Sequence, residues 1–395
     1  MIKCKSAFVG GMKLKISELG KVITGNTPSK KIKEFWDKDD VGFVKPDIIS
    51  DEHIVKIKSE DCNEFISNAA ISKARIVPKN SIFVTCIGNI GKIGVATENL
   101  AFNQQINAII PNENVNLDYL CYAIFANKTR LQDIANAPIV PLLNKSQFSE
   151  FELEFDMDIN TQIRIVHELN TVSNIILKYK QELLLLDELV RARFVEMFGD
   201  PVHSEKYGTR KLSSCVAEKS DMVDGPFGSQ VNTKVDYIEN GEIPVIRTVN
   251  VKMMSFSPTD LKYMTREKYE TVIRSQVLPG DVILTKVGTI GNVCIFPDAF
   301  DEAVLSTTGS CRIRVDNSVV NTQFFAYNLM YLKGKLLEIA SAGVQPFLNM
   351  NHVKNIDILD VSLEKQKEFA DFVKEVDKSR LLSNHSLFLI KSIIF

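Results

Sequence analysis

The sequence predicts an α+β protein with two similar β-rich modules, each followed by a helix. Two observations support this prediction. The stretch from 161 to 198 has the apolar spacing of one long amphipathic helix. The segments on either side of it repeat one order of short strands, glycine turns and loops. We therefore expect two modules separated by long helices that pair as an antiparallel coiled coil, with pseudo-two-fold symmetry.

The central helix is predicted from a stripe of apolar residues at alternating steps of four and three, which no glycine or proline interrupts. It is predicted to end at Phe198 because Gly199 permits a left-handed cap and Pro201 cannot continue the helical hydrogen bonds. Such a helix spans on the order of 55 Å. The residues expected to pair the helices are Ile165, Leu169, Val172, Ile176, Tyr179, Leu183, Leu186 and Val190, with Phe369, Phe372 and Val376 on the second helix.

Short strands in the first half are predicted where β-branched and aromatic residues lie between turn residues. Strands are expected at 13–16, 81–85 and 93–96, and a strand followed by a turn over 41–48. A loop is expected at 24–29, a glycine turn at 88–92 and a helix over 117–135 that Pro138 and Pro141 follow. The second half answers with equivalent residues 200 to 205 positions later, as in the pairs Gly25 and Gly225, Gly88 and Gly288, Asn144 and Asn349, and Gln162 and Gln366. The predicted domains are a first module at 1–158, a central helix at 159–200, a second module at 201–361 and a C-terminal helix at 362–395.

Composition excludes little about function. The chain has 395 residues, 45% of them hydrophobic and 24% charged, and a formal net charge of -2, so an anionic partner must be met by local patches. Seven scattered cysteines form no metal-ligand spacing with the five histidines, so we expect reduced thiols, a cytoplasmic protein and no metal site. No apolar run approaches the ~18 residues of a membrane span, so no membrane partner is expected.

The motifs and their order along the chain resemble those of the DNA specificity subunits of type I restriction-modification systems. The resemblance covers essentially the whole chain. It depends on the alternation of module and helix, the exit at 198–201, the loop at 225–229, the strand and glycine turn at 280–291, and the glutamines that begin each helix. The shorter second helix departs from the family pattern, because Ser379, Ser383 and Ser386 interrupt its apolar stripe.

The resemblance implies that each module is a target recognition domain for one half of a split, asymmetric site in double-stranded DNA. It implies that the helices set the spacing and receive two copies of a methyltransferase subunit, and that restriction (motor-nuclease) subunits join the complex. The chain itself would then have no catalytic residue and no cofactor, with S-adenosylmethionine and ATP expected only in the partner subunits. A ~55 Å helix and a ~3.4 Å rise per base pair would place the half-sites no more than about 16 base pairs apart.

Sequence-specific reading requires side chains that reach base edges, such as Arg or Lys for guanine and Asn or Gln for adenine. The candidates are Lys45, Thr85, Asn89, Lys92, Asn103, Gln104, Gln105 and Asn144 in the first module, and Arg247, Asn250, Lys286, Thr289, Thr307, Gln345 and Asn349 in the second. Plainer roles remain open: the glycine turns could simply close hairpins, Asn144 and Asn349 could cap turns, and Lys45 and Arg247, at equivalent places, could be ordinary surface charges.

Motifs of the common nucleotide-dependent enzymes are missing from the sequence. The turn at 88–92 is not a phosphate loop, because two residues instead of four separate its glycines and Ile93 follows Lys92. There is no Asp/Asn-Pro-Pro-aromatic tetrapeptide and no Gly-x-Gly-x-x-Gly loop. The function favoured is a noncatalytic DNA-binding subunit. The alternative is a protein-binding scaffold with duplicated β modules on a coiled coil, and a lone nuclease or methyltransferase comes third.

Overall fold

The computed structural model describes residues 11–135, 140–203, 206–341 and 346–394. Contacts divide the chain into a first unit, 1–182 with 383–395, and a second unit, 183–382. The division falls inside the central helix, whereas the predicted boundaries treat that helix as a separate segment; those boundaries stay a prediction. Among the described residues, no helix has the length and apolar character that crossing a membrane requires.

The first unit is a mixed module of short strands and helices. Its strands are β1 (Met12–Lys15), β2 (Gly20–Thr24), β3 (Val41–Val44), β4 (Val55–Ile57), β5 (Phe65–Ile66), β6 (Ile76–Val77), β7 (Ile82–Thr85), β8 (Ile93–Ala96), β9 (Leu100–Phe102), β10 (Ile106–Pro111) and β11 (Glu152–Phe155). Its helices are α1 (Ile16–Leu19), α2 (Leu117–Ala126), α3 (Lys128–Ile134), α4 (Lys145–Ser149) and the start of α5 (Ile159–Phe198). The helix predicted over 117–135 is therefore two helices, which meet at Asn127.

The second unit contains the end of α5 and repeats this plan. Its strands are β12 (Thr209–Lys211), β13 (Met222–Asp224), β14 (Ile243–Ile246), β15 (Val251–Lys252), β16 (Ser255–Phe256), β17 (Lys262–Met264), β18 (Gln276–Val277), β19 (Val282–Thr285), β20 (Val293–Ile295), β21 (Ala303–Leu305), β22 (Ser310–Ile313) and β23 (Asp357–Leu359). Its helices are α6 (Arg266–Glu270), α7 (Thr322–Tyr331), α8 (Lys333–Ala340), α9 (Met350–Lys354) and the start of α10 (Leu363–Ile394).

The sheets confirm the duplication predicted from sequence. The first unit has sheets in the orders β2-β10-β7-β8-β4, β5-β3-β9-β6 and β1-β11, and the second unit has β13-β22-β19-β20, β17-β14-β21-β18 and β12-β23. In both four-stranded sheets of the β3 and β14 type, the two central strands are parallel and the outer pairs are antiparallel. The match extends to the three helices before the last strand of each unit, so the two units are copies of one design.

The central helix α5 has 40 residues and ends where the sequence predicts. Gly199 takes the left-handed conformation, with φ of +78°, and its N–H donates to Val195 O at 2.8 Å. The predicted stripe is the less exposed side of the helix: Ile165 and Val190 are buried and the six residues between them in the stripe are half-buried. The periodicity therefore located the packed face correctly.

In the second unit the end of α5 packs against the start of α10. Asp187 bonds Arg380 at 2.6 Å, whereas Arg193, further along α5, bonds Glu368 at 2.7 Å. Because residue numbers rise on one helix as they fall on the other, the two segments are antiparallel. Apolar contacts accompany these ion pairs. The Phe194 and Phe369 rings lie 5.3 Å apart, Phe372 lies 5.8 Å from the Arg193 guanidinium, Val376 is buried, and so is Val373, which was not predicted.

The glutamine at the start of each long helix has a structural role. Gln162 is fully buried; its Oε1 accepts from Asn116 N at 2.8 Å and its Nε2 donates to Asp156 O at 2.7 Å. Gln366 makes the equivalent bonds, with Asn321 N at 2.7 Å and Val361 O at 2.7 Å. Each amide thus joins the long helix to the first helix of the preceding helical group, which explains the recurrence of glutamine at these two positions.

Candidate nucleic-acid interface

Each unit has a tight glycine turn between two antiparallel strands, stabilised by the threonine before it. Thr85 O accepts from Gly91 N at 3.0 Å, and the Thr85 hydroxyl donates to Asn89 O at 2.6 Å. In the second unit Thr285 O accepts from Gly291 N at 3.0 Å, and the Thr285 hydroxyl donates to the corresponding carbonyl. Both threonines are fully buried, so their hydroxyls hold the turn. The prediction that Thr85 contacts DNA therefore loses its support.

The tips of these turns project into open space. Gly88 and Gly288 have φ of +74° and +73°, and a Cβ added at either would meet no atom within 4 Å. The next residues, Asn89 and Thr289, are exposed. A left-handed backbone favours glycine at the tip, and the side chain beside it is presented to solvent.

A loop of each unit lies directly on a neighbouring segment that carries candidate residues. A Cβ added to Gly25 would lie 2.1 Å from Asn103 O, and one added to Gly225 would lie 2.1 Å from Thr307 O. No side chain fits in that space, so glycine is required for the approach. The loops at 25–29 and 225–229 are thereby placed beside the segments 103–105 and 306–309.

A third loop completes the surface in each unit. Leu143 N donates to Cys86 O at 2.9 Å, and Leu348 N donates to Lys286 O at 2.9 Å. The same turn segments are bonded to the middle segments, through Cys86 N to Gln105 O at 2.8 Å and Lys286 N to Gly309 O at 2.8 Å. We call the resulting surfaces the first loop face (25–29, 86–91, 103–105 and 141–143) and the second loop face (225–229, 286–291, 306–309 and 346–348).

The first loop face gathers the amide candidates. Gln104 is exposed and its Oε1 accepts from the Thr27 hydroxyl at 2.7 Å. Gln105 is half-buried and its Oε1 accepts from Asn103 Nδ2 at 2.9 Å. Asn89 bonds the carboxylate of Asp51, whose pKa is lowered chiefly by a hydrogen bond from Lys128 and further by Asn89. The sequence prediction thus brought together residues that the fold does place on one surface.

The basic candidates of the first unit already have protein partners. Lys45 forms an ion pair with Glu64, which Lys30 also reaches at 3.2 Å. Burial acts to raise the pKa of Glu64, but the hydrogen bonds from Lys45 and Lys30 outweigh it and the pKa is lowered. Lys92 donates to Pro46 O at 3.2 Å. A DNA phosphate or base would have to compete with these contacts.

Two candidates in the second unit are buried and unsuited to direct contact. Asn250 has no exposed surface, and its Nδ2 donates to Ser257 O at 3.0 Å and Thr259 O at 3.1 Å. The Lys286 side chain is 4% exposed and forms an ion pair with Asp224. Their predicted role in reading bases loses its support, because both side chains are used to stabilise the interior.

Two of the remaining candidates in the second unit, Arg247 and Thr307, form hydrogen bonds within the protein. Arg247 bonds the Asp260 carboxylate at 2.9 Å, and this bond is the largest cause of the lowered pKa of Asp260. Thr307 is half-buried and accepts from Gly309 N at 3.3 Å. Gln345 lies outside the described residues.

The asparagines before α4 and α9 confirm the plainer reading of the sequence. Asn144 Oδ1 accepts from Gln147 N at 2.9 Å, and Asn349 Oδ1 accepts from His352 N at 2.8 Å. Both side chains therefore cap helices. They position the third loop of each face and do not extend from it.

Sequence reasoning missed the apolar side chains of the second loop face. Phe227 is 57% exposed, Phe347 48% and Val287 45%. One signal was available: Phe227 stands between Pro226 and Gly228, in a loop whose turn residues leave no strand or helix to bury it. Base reading by hydrogen bonds requires polar side chains, so that criterion does not point to a phenylalanine.

The arrangement of loops on each face is suited to binding. In the described part of the chain, no group of three or more His, Cys, Asp or Glu is placed to hold a metal ion. What each unit presents is a surface of loop tips carried on a rigid sheet and helix framework, the usual arrangement for recognition.

Comparison with known proteins shows which family has this sequence pattern. The family model described as the type I restriction modification DNA specificity domain matches residues 10–185 and 224–390. The MjaIX specificity subunit of Methanocaldococcus jannaschii is 24% identical over 400 residues, covering 96% of this chain and 89% of that protein. The HindI specificity subunit of Haemophilus influenzae is 34% identical over 142 residues, covering 35% of this chain and 30% of that protein.

Solved structures agree on the fold. The type I restriction-modification S subunit from M. genitalium aligns with a TM-score of 0.55 at 15% identity, covering 97% of this chain and 93% of that one. A chain from a study of assembly of the type I system aligns at 0.54 and 13% identity, covering 98% and 96%. With two matches to the family model that together take in most of its length, the chain belongs to the family of type I restriction-modification DNA specificity subunits.

Proposed function

We propose that the two loop faces read the two halves of one split sequence in double-stranded DNA, one face for each half. Members of this family are noncatalytic and recognise DNA sequence within a restriction-modification complex. The observation that carries the proposal is that four segments, distant in the sequence, assemble the same surface in both units, with glycines that admit no side chain at the closest approach. Duplication of the frame with different side chains on it is what an asymmetric split site requires.

DNA and methyltransferase or restriction subunits are the partners of such a chain. We further propose that two methyltransferase copies bind, one to each unit. Large apolar side chains are exposed on the long helices at positions 204 apart: Leu177 and Leu381 are 40% and 70% exposed, and Leu184 and Phe388 are 66% and 68% exposed. Exposed apolar residues repeated in both copies of a fold suggest equivalent sites for a partner.

Under this proposal the partner subunits catalyse the reactions and bind the cofactors. S-adenosylmethionine would be bound by the methyltransferase subunits and ATP by the motor-nuclease subunits, and the complex would act on DNA in the cytoplasm. The proposal gives this chain the choice of site alone.

The docking proposal predicts the composition of the complex. Leu381→Asp should remove one methyltransferase copy and Leu177→Asp the other, because a charged side chain opposes burial of these exposed apolar positions. The mass of the reconstituted complex, measured by light scattering, should fall from two copies to one for each variant. Ile273→Ala, an exposed apolar residue outside the long helices, is the control. Two copies in both variants would contradict the docking sites.

The DNA proposal is tested by selection from random duplexes with the reconstituted complex. We expect a consensus of two short parts separated by unspecified bases, bound more weakly as salt rises. Exchanging residues 210–355 for the equivalent segment of a relative should change one part and leave the other as it was. A change in both parts would show that the units do not read independently, and a pool without a two-part consensus would favour the protein-binding scaffold.

A further inference from the structure

Three basic side chains on or beside the loop faces are engaged within the protein. Lys45 forms an ion pair with Glu64 and Lys286 with Asp224, and Lys92 donates to a backbone carbonyl at 3.2 Å. The chain as a whole has a formal net charge of -2. Because duplex DNA carries one negative charge per ~1.7 Å of its axis, the attraction for it must come from other cations close to these faces.

In the first unit such cations lie on the segment 73–75, directly beside the first loop face. Asn26, in the first loop of that face, donates from Nδ2 to Lys73 O at 2.6 Å, and its Oδ1 accepts from Arg75 N at 2.7 Å. The segment continues into β6, which pairs antiparallel with β9. Because β9 leads into the middle segment of the loop face, residues 73–75 lie at the end of β9 next to that face.

The side chains of Lys73 and Arg75 are exposed. Among the described residues no carboxylate forms an ion pair with either of them. The stretch 67–80 around them and the loop at 25–29 contain no Asp or Glu. Their attraction for an anion is therefore reduced by solvent and salt and not by a paired acid.

The second unit repeats this arrangement at 273–275, 200 positions later. The Ser275 hydroxyl donates to Asp224 O at 2.8 Å, which joins the segment to the residue before the second loop face. The segment leads into β18, which pairs antiparallel with β21 as β6 does with β9. Arg274 is exposed, and no carboxylate in the described part of the chain pairs with it. A cation beside both faces, carried at slightly different positions, indicates a function that the two units share.

Contacts to phosphates fix the register and orientation of a protein on the duplex, whereas contacts to base edges specify the sequence. Within the proposed function, on which this inference depends, we propose that Lys73 and Arg75 in the first unit and Arg274 in the second bind backbone phosphates beside each half-site. These cations hold the duplex on the loop face, and the loop tips reach its base edges. Arginine can bond a phosphate through two N–H groups, while lysine acts as a point charge.

Salt dependence measures the number of phosphates bound. For duplex DNA the logarithm of the affinity falls with the logarithm of the salt concentration, with a slope of about 0.9 for each phosphate neutralised. Lys73→Gln combined with Arg75→Gln should therefore reduce the slope by about 1.8, and Arg274→Gln should reduce it by about 0.9. From about 50 mM to about 200 mM salt, the unaltered chain should lose about tenfold more affinity than the double variant.

Lys79→Gln is the matched control. Lys79 is exposed and follows β6 at its other end, away from the first loop face. Removing its charge should leave the salt slope unchanged, and thermal unfolding of each variant excludes a general loss of fold. An equal change of slope in Lys79→Gln would show an effect of net charge and would overturn the assignment to these three residues.

Uncharged phosphates locate the contacts. Once selection has given the two-part site, a methylphosphonate replaces one phosphate at a time beside each part, and the affinity of the reconstituted complex is measured. At one phosphate the replacement should weaken binding of the unaltered chain but not of Arg75→Gln. A phosphate beside the other part should behave in the same way with Arg274→Gln, and that part should be the one that exchange of residues 210–355 changes.

Selection repeated with the double variant at Lys73 and Arg75 should return the same two-part consensus, because phosphate contacts carry no sequence information. A changed base preference would show that these side chains read bases. An unchanged salt slope, with every methylphosphonate acting equally on variant and unaltered chain, would show that they do not bind DNA. Either result would overturn the inference while leaving the proposed function in place. A selection with no two-part consensus would contradict the proposed function itself and this inference with it.

Discussion

Lys286→Cys is expected to destabilise the second unit by about 3–5 kcal/mol, the usual cost of breaking a buried ion pair from one side. The Lys286 side chain is 4% exposed and its partner Asp224 20% exposed, so the carboxylate left behind would stay largely out of water without a counter-charge. Cysteine is chosen because Cys86 occupies the equivalent position of the first unit, where the same backbone tolerates it.

The first unit supplies the matched control. There the equivalent positions hold Thr24, Cys86 and Asn107, with the Thr24 hydroxyl donating to Asn107 Oδ1 at 2.7 Å. The triple variant Asp224→Thr, Lys286→Cys and Cys311→Asn places these three uncharged residues at the equivalent positions of the second unit. It should recover most of the lost stability, because neither buried charge remains. A single variant as stable as the unaltered chain would show that the ion pair contributes nothing net.

Spectroscopy can follow the unfolding of the two units separately. The chain has one tryptophan, Trp36, which lies in the first unit 5.2 Å from Phe43. Its fluorescence reports unfolding of the first unit, while circular dichroism reports both. In urea the variant should lose part of its dichroism at lower concentration, with the Trp36 transition unchanged.

Phe194→Ala is expected to lower the free energy of unfolding by about 3–5 kcal/mol, as truncation of other large aromatic side chains in a core does. Phe194 is fully buried at the end of the central helix, and its ring centroid lies 5.0 Å from that of Phe198, 5.9 Å from Phe324, 4.7 Å from Tyr331 and 5.3 Å from Phe369. The ring joins both long helices to the module, so its loss leaves a cavity where three elements meet.

Val195→Ala provides the comparison for Phe194→Ala. Val195 is the next residue on the helix and is 42% exposed, so its truncation should cost well under about 1 kcal/mol. Urea unfolding followed by dichroism should show a large shift for Phe194→Ala only. Similar shifts for both variants would mean that the end of the helix is not packed in the core.

We also expect Phe194→Ala to weaken binding to one half-site, because the second loop face is carried on this module.

The general plan was predictable because it depends on local and periodic features. The three-four spacing from Ile165 to Val190 identified the packed side of α5, and the Phe198-Gly199 step identified its end. The repeated offsets identified two copies of one module, which the sheet orders confirm. Asn144 and Asn349 were predicted as possible caps from residue type and position, and the helices after them begin there.

The candidate site was predicted less well, because burial of a loop residue depends on segments far away in the sequence. Lys286 and Asn250 looked like exposed polar residues near turns, but Asp224 and the carbonyls of residues 257 and 259 take up their polar atoms. Gln104 is exposed on the first loop face, and its contact with DNA stays a prediction, whereas its partner Thr27 could not have been foreseen from the sequence. Phe227 was passed over because an apolar residue in a short loop has no periodicity to mark it.

By itself, then, the amino-acid order determined the duplication, the long helices and their ends, since these depend on spacing along the chain and on what glycine and proline permit. Only the tertiary structure decided which side chains of the two loop faces are presented and which are consumed inside. That choice follows from close approach of distant segments, where a carbonyl 2.1 Å from a glycine's missing Cβ excludes every other residue.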